Sequence, residues 1–462
     1  MAGGGPAEAA KPSDPMARAA ALFGAGNLKD AWSLCDAILR TDARHFYALH
    51  LASAIAARLG EWDECIRLAS RALEVQPRHP EVLANRGTAL RMLNRYGEAL
   101  ADYEQALAAA PRSPEALNNR GVTLAALNRH AEAIESYTRA LELKRDYHRA
   151  RYNRALSRLV MGEFEGGWAD HEARWHGSDV SIPERGFPVP RWTGQEDLHG
   201  RTILLHAEQG LGDGIHFSRY ARLVHERGAR VVLEAYPPLA ALLAQLPYVA
   251  EVVPLGGTLP PFEYHAPLVS LPLIFGTRLA TIPSQSPALE APREHLAKWR
   301  GMLGEPRALR VGLAWSGSTT LRNDHNRSIA LARFDRIRGL DGVELFAVQK
   351  EIRDADRAAL QGARPVRHFE TQLADFRDTA ALVAHMDLVI SVDTSIAHLA
   401  AAMGKPVWLL LPFSPDWRWL LERDDSPWYP SARLFRQPRP GDWESVLDRV
   451  GAALGEHDSA AR

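Results

Sequence analysis

The chain has 462 residues, of which 24% are charged, and its 55 lysines and arginines almost balance 56 aspartates and glutamates. That length divides into two or three domains, each able to bury its own core, and a net charge of −1 leaves no basic footprint for nucleic acid. Two cysteines, Cys35 and Cys65, exclude a disulfide framework and a cysteine-rich zinc site and fit a reducing compartment. The opening stretch from Met1 to Pro15 is rich in glycine, alanine and proline without the apolar core of a signal peptide, so a disordered leader is expected over 1–15. No apolar run approaches the roughly 20 residues of a membrane span. A cytoplasmic protein without a membrane span is the expectation.

Gly26, Gly60, Asn94, Asn128 and Gly162 then recur at intervals of 34, each followed two residues later by Leu28, Trp62, Tyr96, His130 or Phe164. Ala31, Cys65, Ala99, Ala133 and Gly167 keep the same phase, all small, where two helices of a hairpin have to approach closely. The fullest copies carry Gly87, Leu90, Ala99, Tyr103, Ala106 and Pro111, then Gly121, Leu124, Ala133, Tyr137 and Ala140. These positions resemble the tetratricopeptide repeat, a helix-turn-helix unit that buries its apolar face only against its neighbours and leaves a concave groove. An α-solenoid over 16–175 is expected, ending in a hairpin from about His148 to Trp175 whose Gly166, Gly167, Trp168 and His171 suit contact with a different surface.

Pro183, Pro188, Pro190 and Gly194 mark an extended connector over 176–200, with Trp192 pinning it to a neighbour. Short apolar strands then alternate with helices. Thr202 to His206, Arg230 to Ala235 and Val252 to Leu255 read as strands of a first block over 201–305, with helices at Ile215 to Arg227 and Ala291 to Leu303. Arg310 to Trp315, Val343 to Gln349, Leu388 to Val392 and Val407 to Leu411 read as strands of a second block over 306–452, before a tail over 453–462. The fold class is an α-solenoid followed by α/β, with two facing Rossmann-like domains that bind ligands at the carboxyl ends of their strands.

The strand-end loops carry the polar chemistry. Glu208, Gln209, Gly210, Leu211, Gly212, Asp213 and Gly214 run from the first strand into a helix, where glycines admit a ligand and the helix start presents bare N–H groups. Asp213 reads either as the helix N-cap or as a general base facing the cleft, roles that exclude each other unless the side chain moves. Asp393, Thr394 and Ser395 open a helix after a second-block strand and suit a phosphate, or serve as capping residues alone. His398 lies one turn further on, to reach the same phosphate or simply to pack. Ser316, Ser318 and Arg327 cluster after the Arg310 strand, Arg327 as a diphosphate fork or a surface charge, while Gln349 and Lys350 end the next strand on the same edge.

The run from Asp387 through Asp393, Thr394, Ser395 and His398 to Gly404 and Pro406 resembles the donor-binding signature of heptosyltransferase-like glycosyltransferases of GT-B architecture. The pair Gly212 and Asp213 is similar to their acceptor-side loop, which implies that Asp213 is the base and that Glu208, Gln209, Gly210 and Gly212 border the acceptor. Thr394 stands where the family usually has glycine or serine, and Arg327 takes the place of a phosphate-binding lysine. Repeats joined to such a domain also resemble O-linked N-acetylglucosamine transferases and bacterial flagellin glycosyltransferases. That resemblance implies an asparagine ladder, Asn85, Asn119 and Asn153, holding an extended peptide backbone; an inter-repeat hydrogen bond is the other use of those amides. The implied activity is metal-independent transfer from a nucleotide-sugar co-substrate, with no cofactor, to a hydroxyl of a protein acceptor chosen by the groove, flagellin among them. A peptide-binding scaffold with an inactive transferase domain, and a transferase for a glycan or lipid-linked acceptor, remain as alternatives.

Overall fold

The computed structural model describes residues 14–177, 185–284, 289–321, 323–361 and 364–461. The expected leader therefore lies outside the described residues as far as position 13, and so does the connector between 178 and 184. Two compact units follow one another, the first ending at Arg154 and the second starting at Ala155.

Ten helices carry the 34-residue beat: α1 (Pro15–Gly24), α2 (Leu28–Thr41), α3 (Phe46–Leu59), α4 (Trp62–Val75), α5 (Pro80–Met92), α6 (Tyr96–Ala109), α7 (Pro114–Ala126), α8 (His130–Leu143), α9 (His148–Val160) and α10 (Phe164–His171). The beat has a backbone cause. Gly26, Gly60, Asn94, Asn128 and Gly162 all take left-handed φ, between 57° and 80°, at the turn closing each odd-numbered helix. Glycine enters that region without steric cost and asparagine more readily than most residues. The next residue then donates back into the helix, as Glu61 N–H does to Ala56 O at 2.9 Å and Arg95 N–H to Leu90 O at 2.9 Å.

Within the first unit the predicted small residues Ala31, Cys65, Ala99 and Ala133 are fully buried. Gly87 faces the Tyr103 ring and Gly121 the Tyr137 ring across each hairpin, where a β-carbon would stand 3.1 Å and 2.5 Å from the nearest ring carbon. Three arginines one interval apart, on α5, α7 and α9, tie these helices to their even-numbered neighbours. Arg86 donates to both oxygens of Asp102 (2.7 Å each) and to Ser70 Oγ (3.1 Å), Arg120 to Ser136 Oγ (2.7 Å) and Arg154 to Thr138 Oγ1 (3.1 Å).

The second unit begins inside the last predicted repeat, because Leu159, Val160, Phe164 and Trp168 belong to the core of the α/β part. Trp168 is buried and donates through Nε1 to Thr277 O (3.0 Å), and its ring meets Trp417 edge-on at 5.1 Å. A four-stranded parallel sheet runs β3-β2-β1-β4, with β1 (Thr202–His206), β2 (Arg230–Ala235), β3 (Glu251–Pro254) and β4 (Tyr264–Pro267). A five-stranded parallel sheet runs β6-β5-β7-β8-β9, with β5 (Leu309–Ala314), β6 (Val343–Ala347), β7 (Leu388–Val392), β8 (Val407–Leu411) and β9 (Ala432–Arg436). Each order reverses once, between β1 and β4 and between β5 and β7, and such switch points open a crevice at the strand ends.

Several boundaries depart from expectation. The helix predicted from Ile215 to Arg227 is two, Leu211–Ser218 and Tyr220–His225. The tail expected over 453–462 continues the helix Trp443–Ala461, because Ala453 and Leu454 face the core. In the connector, Trp192 is buried, its N–H donates to His265 O at 2.8 Å and its ring lies 5.7 Å from Phe275.

Gly121→Ala, which drives a methyl into Tyr137, is expected to cost about 1–3 kcal/mol. Gly97→Ala on α6, where a β-carbon meets nothing within 4 Å, is expected to be neutral or stabilising. Urea unfolding of the two variants checks the contrast.

Candidate functional site

Both switch points hold residues singled out from the sequence. After β1 the chain turns through Gln209, whose φ is +67° and whose carbonyl accepts from the Tyr236 hydroxyl, into Gly210, the N-cap of the helix Leu211–Ser218. Asp213 is therefore the third residue of that helix rather than its cap. Its Oδ2 accepts from Gly210 N–H at 2.9 Å, and its Oδ1 accepts from Arg418 Nη2. The bond back to the cap residue and the contact with Arg418 thus coexist, one oxygen for each. Glu208 turns away: both its oxygens accept from the fully buried Arg174 (2.9 and 2.7 Å), and Oε1 also accepts from Val269 N–H (3.2 Å). Its place is a brace between the loops after β1 and β4, and the sequence carried no sign of the distant arginine.

At the other switch point, Thr394 caps the helix Ser395–Ala402, with Asp393, Thr394 and Ser395 half-buried at its start. Arg327 reaches across from the loop after β5. Its Nη1 donates to Asp393 O (2.7 Å) and its Nε to Asp324 Oδ1 (3.0 Å), so it is a tie between the two loops rather than a surface charge. Gln349 is committed as well: Oε1 accepts from Trp315 N–H (2.8 Å) and Ser316 N–H (3.2 Å), and Nε2 donates to Ser316 Oγ (2.9 Å). Ser316 is half-buried beside it, whereas Ser318 is exposed and shares a hydrogen bond with Thr320.

The two loops meet. A β-carbon on Gly212 would lie 2.9 Å from the His398 ring and 3.8 Å from Ser395 Cα, so only glycine lets the first-block helix approach the second. Residues between β8 and β9, which the sequence reading passed over, complete the contact. Arg418 is 7% exposed and donates to Asp213 and, through Nη1, to Asp416 Oδ1 at 2.9 Å; its guanidinium lies 4.3 Å from the Trp417 ring centre. The Trp419 ring stacks on His398 at 5.4 Å. The rule that pointed to the other strand ends, applied to the run Asp416, Trp417, Arg418 and Trp419 after β8, was the signal available.

Tyr429 bridges two histidines across the crevice, its hydroxyl 3.0 Å from His216 Nδ1 and 2.9 Å from His398 Nδ1. Burial holds both imidazoles well below their usual pKa, and Arg219 and Arg418 add to the effect, so both are neutral. One hydroxyl proton serves two ring nitrogens, so one histidine accepts it and the other donates to the phenol oxygen. His398 Nε2 lies 3.8 Å from Asp393 Oδ1, which favours a proton on Nε2 and makes His398 the acceptor.

Burial pushes the Asp213 carboxyl above its usual range, against the pull of Arg418. Burial, reinforced by Asp416, pushes Asp393 up to about 6. In the first unit, Asn85, Asn119 and Asn153 are half-buried on α5, α7 and α9; Asn153 Nδ2 donates to Asn118 Oδ1 (2.9 Å) and Asn118 Nδ2 to Asn119 Oδ1 (3.2 Å). Part of the ladder is therefore an inter-repeat amide chain.

Helical repeats followed by two parallel sheets with polar loops at their switch points define a class, a repeat array followed by a two-sheet α/β part. Residues 44–112, 85–148 and 120–166 match tetratricopeptide-repeat models, and 357–415 match the glycosyltransferase family 9 (heptosyltransferase) model. The chain is therefore similar to tetratricopeptide-repeat proteins over 44–166 and to glycosyltransferase family 9 over 357–415. It is 28% identical over 334 residues to protein FlbA of Caulobacter vibrioides, a stretch that takes in 67% of this chain and spans only 55% of that relative's length. Similar solved structures include MamA (17% identity, TM-score 0.32, 34% of this chain and 91% of that one). Another is YrrB, described as a TPR protein with an unusual peptide-binding site (19%, TM-score 0.32, 35% and 83%). Among the described residues no helix is long and apolar enough to cross a membrane.

In the unfolded chain Asp393 ionises near 4. Its raised value in the fold means that stability falls as pH rises from about 4 through about 6 and stays reduced above. Asp393→Asn removes that cost and is expected to raise Tm at pH 8, by the equivalent of about 1–3 kcal/mol, and not at pH 4. Thermal melts at the two pH values check it.

Proposed function

We propose that the chain transfers a glycosyl group from a nucleotide-sugar to a hydroxyl of a protein acceptor held by the repeats. The observation that carries this reading is the convergence of Asp213 and the start of the helix Ser395–Ala402 in one crevice, with Gly212 against Ser395 and His398. Bare N–H groups and hydroxyls at that helix start suit the donor's phosphates, and Arg327 locks the loop they occupy. Metal-independent transfer of the GT-B kind follows from a diphosphate steadied by a helix dipole and by arginine. The bond from the anomeric carbon to the diphosphate oxygen breaks, a bond from that carbon to the acceptor oxygen forms, and the acceptor's proton passes to Asp213. Desolvation, which makes Asp213 a stronger base than an exposed carboxylate, brings its affinity for a proton closer to what a neutral-pH general base needs. Asn85, Asn119 and Asn153 are proposed to hold the acceptor's backbone, as amides both donate and accept.

Asp213→Asn is expected to lower transfer about 10²–10⁴-fold while a nucleoside diphosphate still binds; full transfer by that variant would remove the base. The triple change Asn85→Ala, Asn119→Ala and Asn153→Ala is expected to raise KM for a protein acceptor and leave donor hydrolysis untouched. Unaltered KM would point to a glycan or lipid-linked acceptor instead.

A further inference from the structure

A buried guanidinium that lacks one partner is the feature the transfer reading leaves unused. Arg418 donates through Nη1 to Asp416 and through Nη2 to Asp213, yet its Nε–H, also buried, meets no acceptor among the described residues. An orphan donor on a buried charge is costly enough to call for an explanation. The surrounding charges supply one. Asp213 and Asp416 contact Arg418 directly and Asp393 lies within its field, so three carboxylates surround this cation. Arg327, the substitute expected for the missing phosphate-binding lysine, already gives its Nε to Asp324 and its Nη1 to Asp393 O. Arg418 also stands beside the helix start that the donor would use: Asp213 follows Gly212, which abuts Ser395, and Trp419 covers His398.

We propose that Arg418 is the cation for the donor's diphosphate, and that it reaches that diphosphate by letting go of Asp213. The inference rests on the glycosyl-transfer reading and adds a regulation to it. With the crevice unliganded, the ion pair occupies the carboxylate oxygen that has to accept the acceptor's proton. An arriving diphosphate offers acceptors to both Nε–H and Nη2–H in the bidentate geometry that arginine favours. Arg418 rotates from one anion to the other while its stem stays against Trp417 and Phe217. Asp213 loses its counter-charge at that moment and becomes the stronger base. Donor binding thus precedes and enables proton acceptance, which gives an ordered reaction with donor first.

Calorimetry with UDP, GDP, CDP, ADP and dTDP tests the exchange on the full chain. In the wild type one or more of them binds. Asp213→Asn, which removes the competing anion, is expected to bind the same nucleotide about tenfold tighter, a gain that misfolding cannot imitate. Arg418→Met is expected to bind it at least about tenfold more weakly, with circular dichroism and a melt reporting on its fold. Equal affinity in Asp213→Asn and wild type overturns the exchange, and undiminished affinity in a folded Arg418→Met overturns the assignment of the cation. Absence of binding by every nucleotide to the wild type removes the donor reading itself, and the exchange with it.

Discussion

Arg418 joins the loop after β8 to the loop after β1 through a charge contact in which the guanidinium is buried and the carboxylates are partly so, and the crevice depends on it. Taking a guanidinium and two carboxylates out of water costs several kcal/mol per ion unless each finds its opposite. Asp213 and Asp416 supply that compensation for Arg418, and Arg418 for them. Each needs an opposite charge: Asp213 without Arg418 would be a poorly solvated carboxylate with a still higher affinity for a proton, and Arg418 without an anion a buried cation short of an acceptor. The pair therefore makes the packing of the two sheets' loops specific as well as close.

Aromatic rings complete what the charges begin. Trp417, Trp419, Trp428 and Tyr429 lie within a stretch that leaves β8 and returns at β9, and all four are buried. His216 sits between Trp428 and Tyr429, with ring centres 4.6 and 5.7 Å away. Such surroundings lower the local dielectric, which strengthens each hydrogen bond inside and keeps both histidines uncharged. The Tyr429 hydroxyl then works as a clasp between helices from different sheets, and its single proton sets which imidazole donates and which accepts.

What could be read from the sequence follows from how local each cause is. The repeat beat was legible because one residue in 34 needs left-handed φ, and only Gly26, Gly60, Gly162 and the asparagines 94 and 128 meet that need cheaply. Strands β1, β2, β5, β7 and β8 announced themselves as apolar runs. Strands β4 and β9 did not: Tyr264–Pro267 and Ala432–Arg436 are edge strands, short and partly polar, with pattern too weak to separate them from loop. The same division holds at the site. Asp213 and the Asp393 to Ser395 run were visible because each follows a strand and opens a helix, whereas the partners that decide what they do lie far along the chain. Arg174 holds Glu208 from 34 positions away and Arg418 holds Asp213 from 205. No periodicity or local propensity encodes such pairs, so Glu208 looked available for an acceptor and Arg418 went unnoticed.

The hairpin from α9 to α10 obeys the repeat's spacing up to Gly162 yet delivers Phe164 and Trp168 to the interior of the α/β part. Its sequence thus answers to two sets of constraints at once. The small residues upstream, Ala31, Cys65, Ala99 and Ala133, are buried within the first unit. The hairpin at the junction is fixed instead by the α/β core it helps to build.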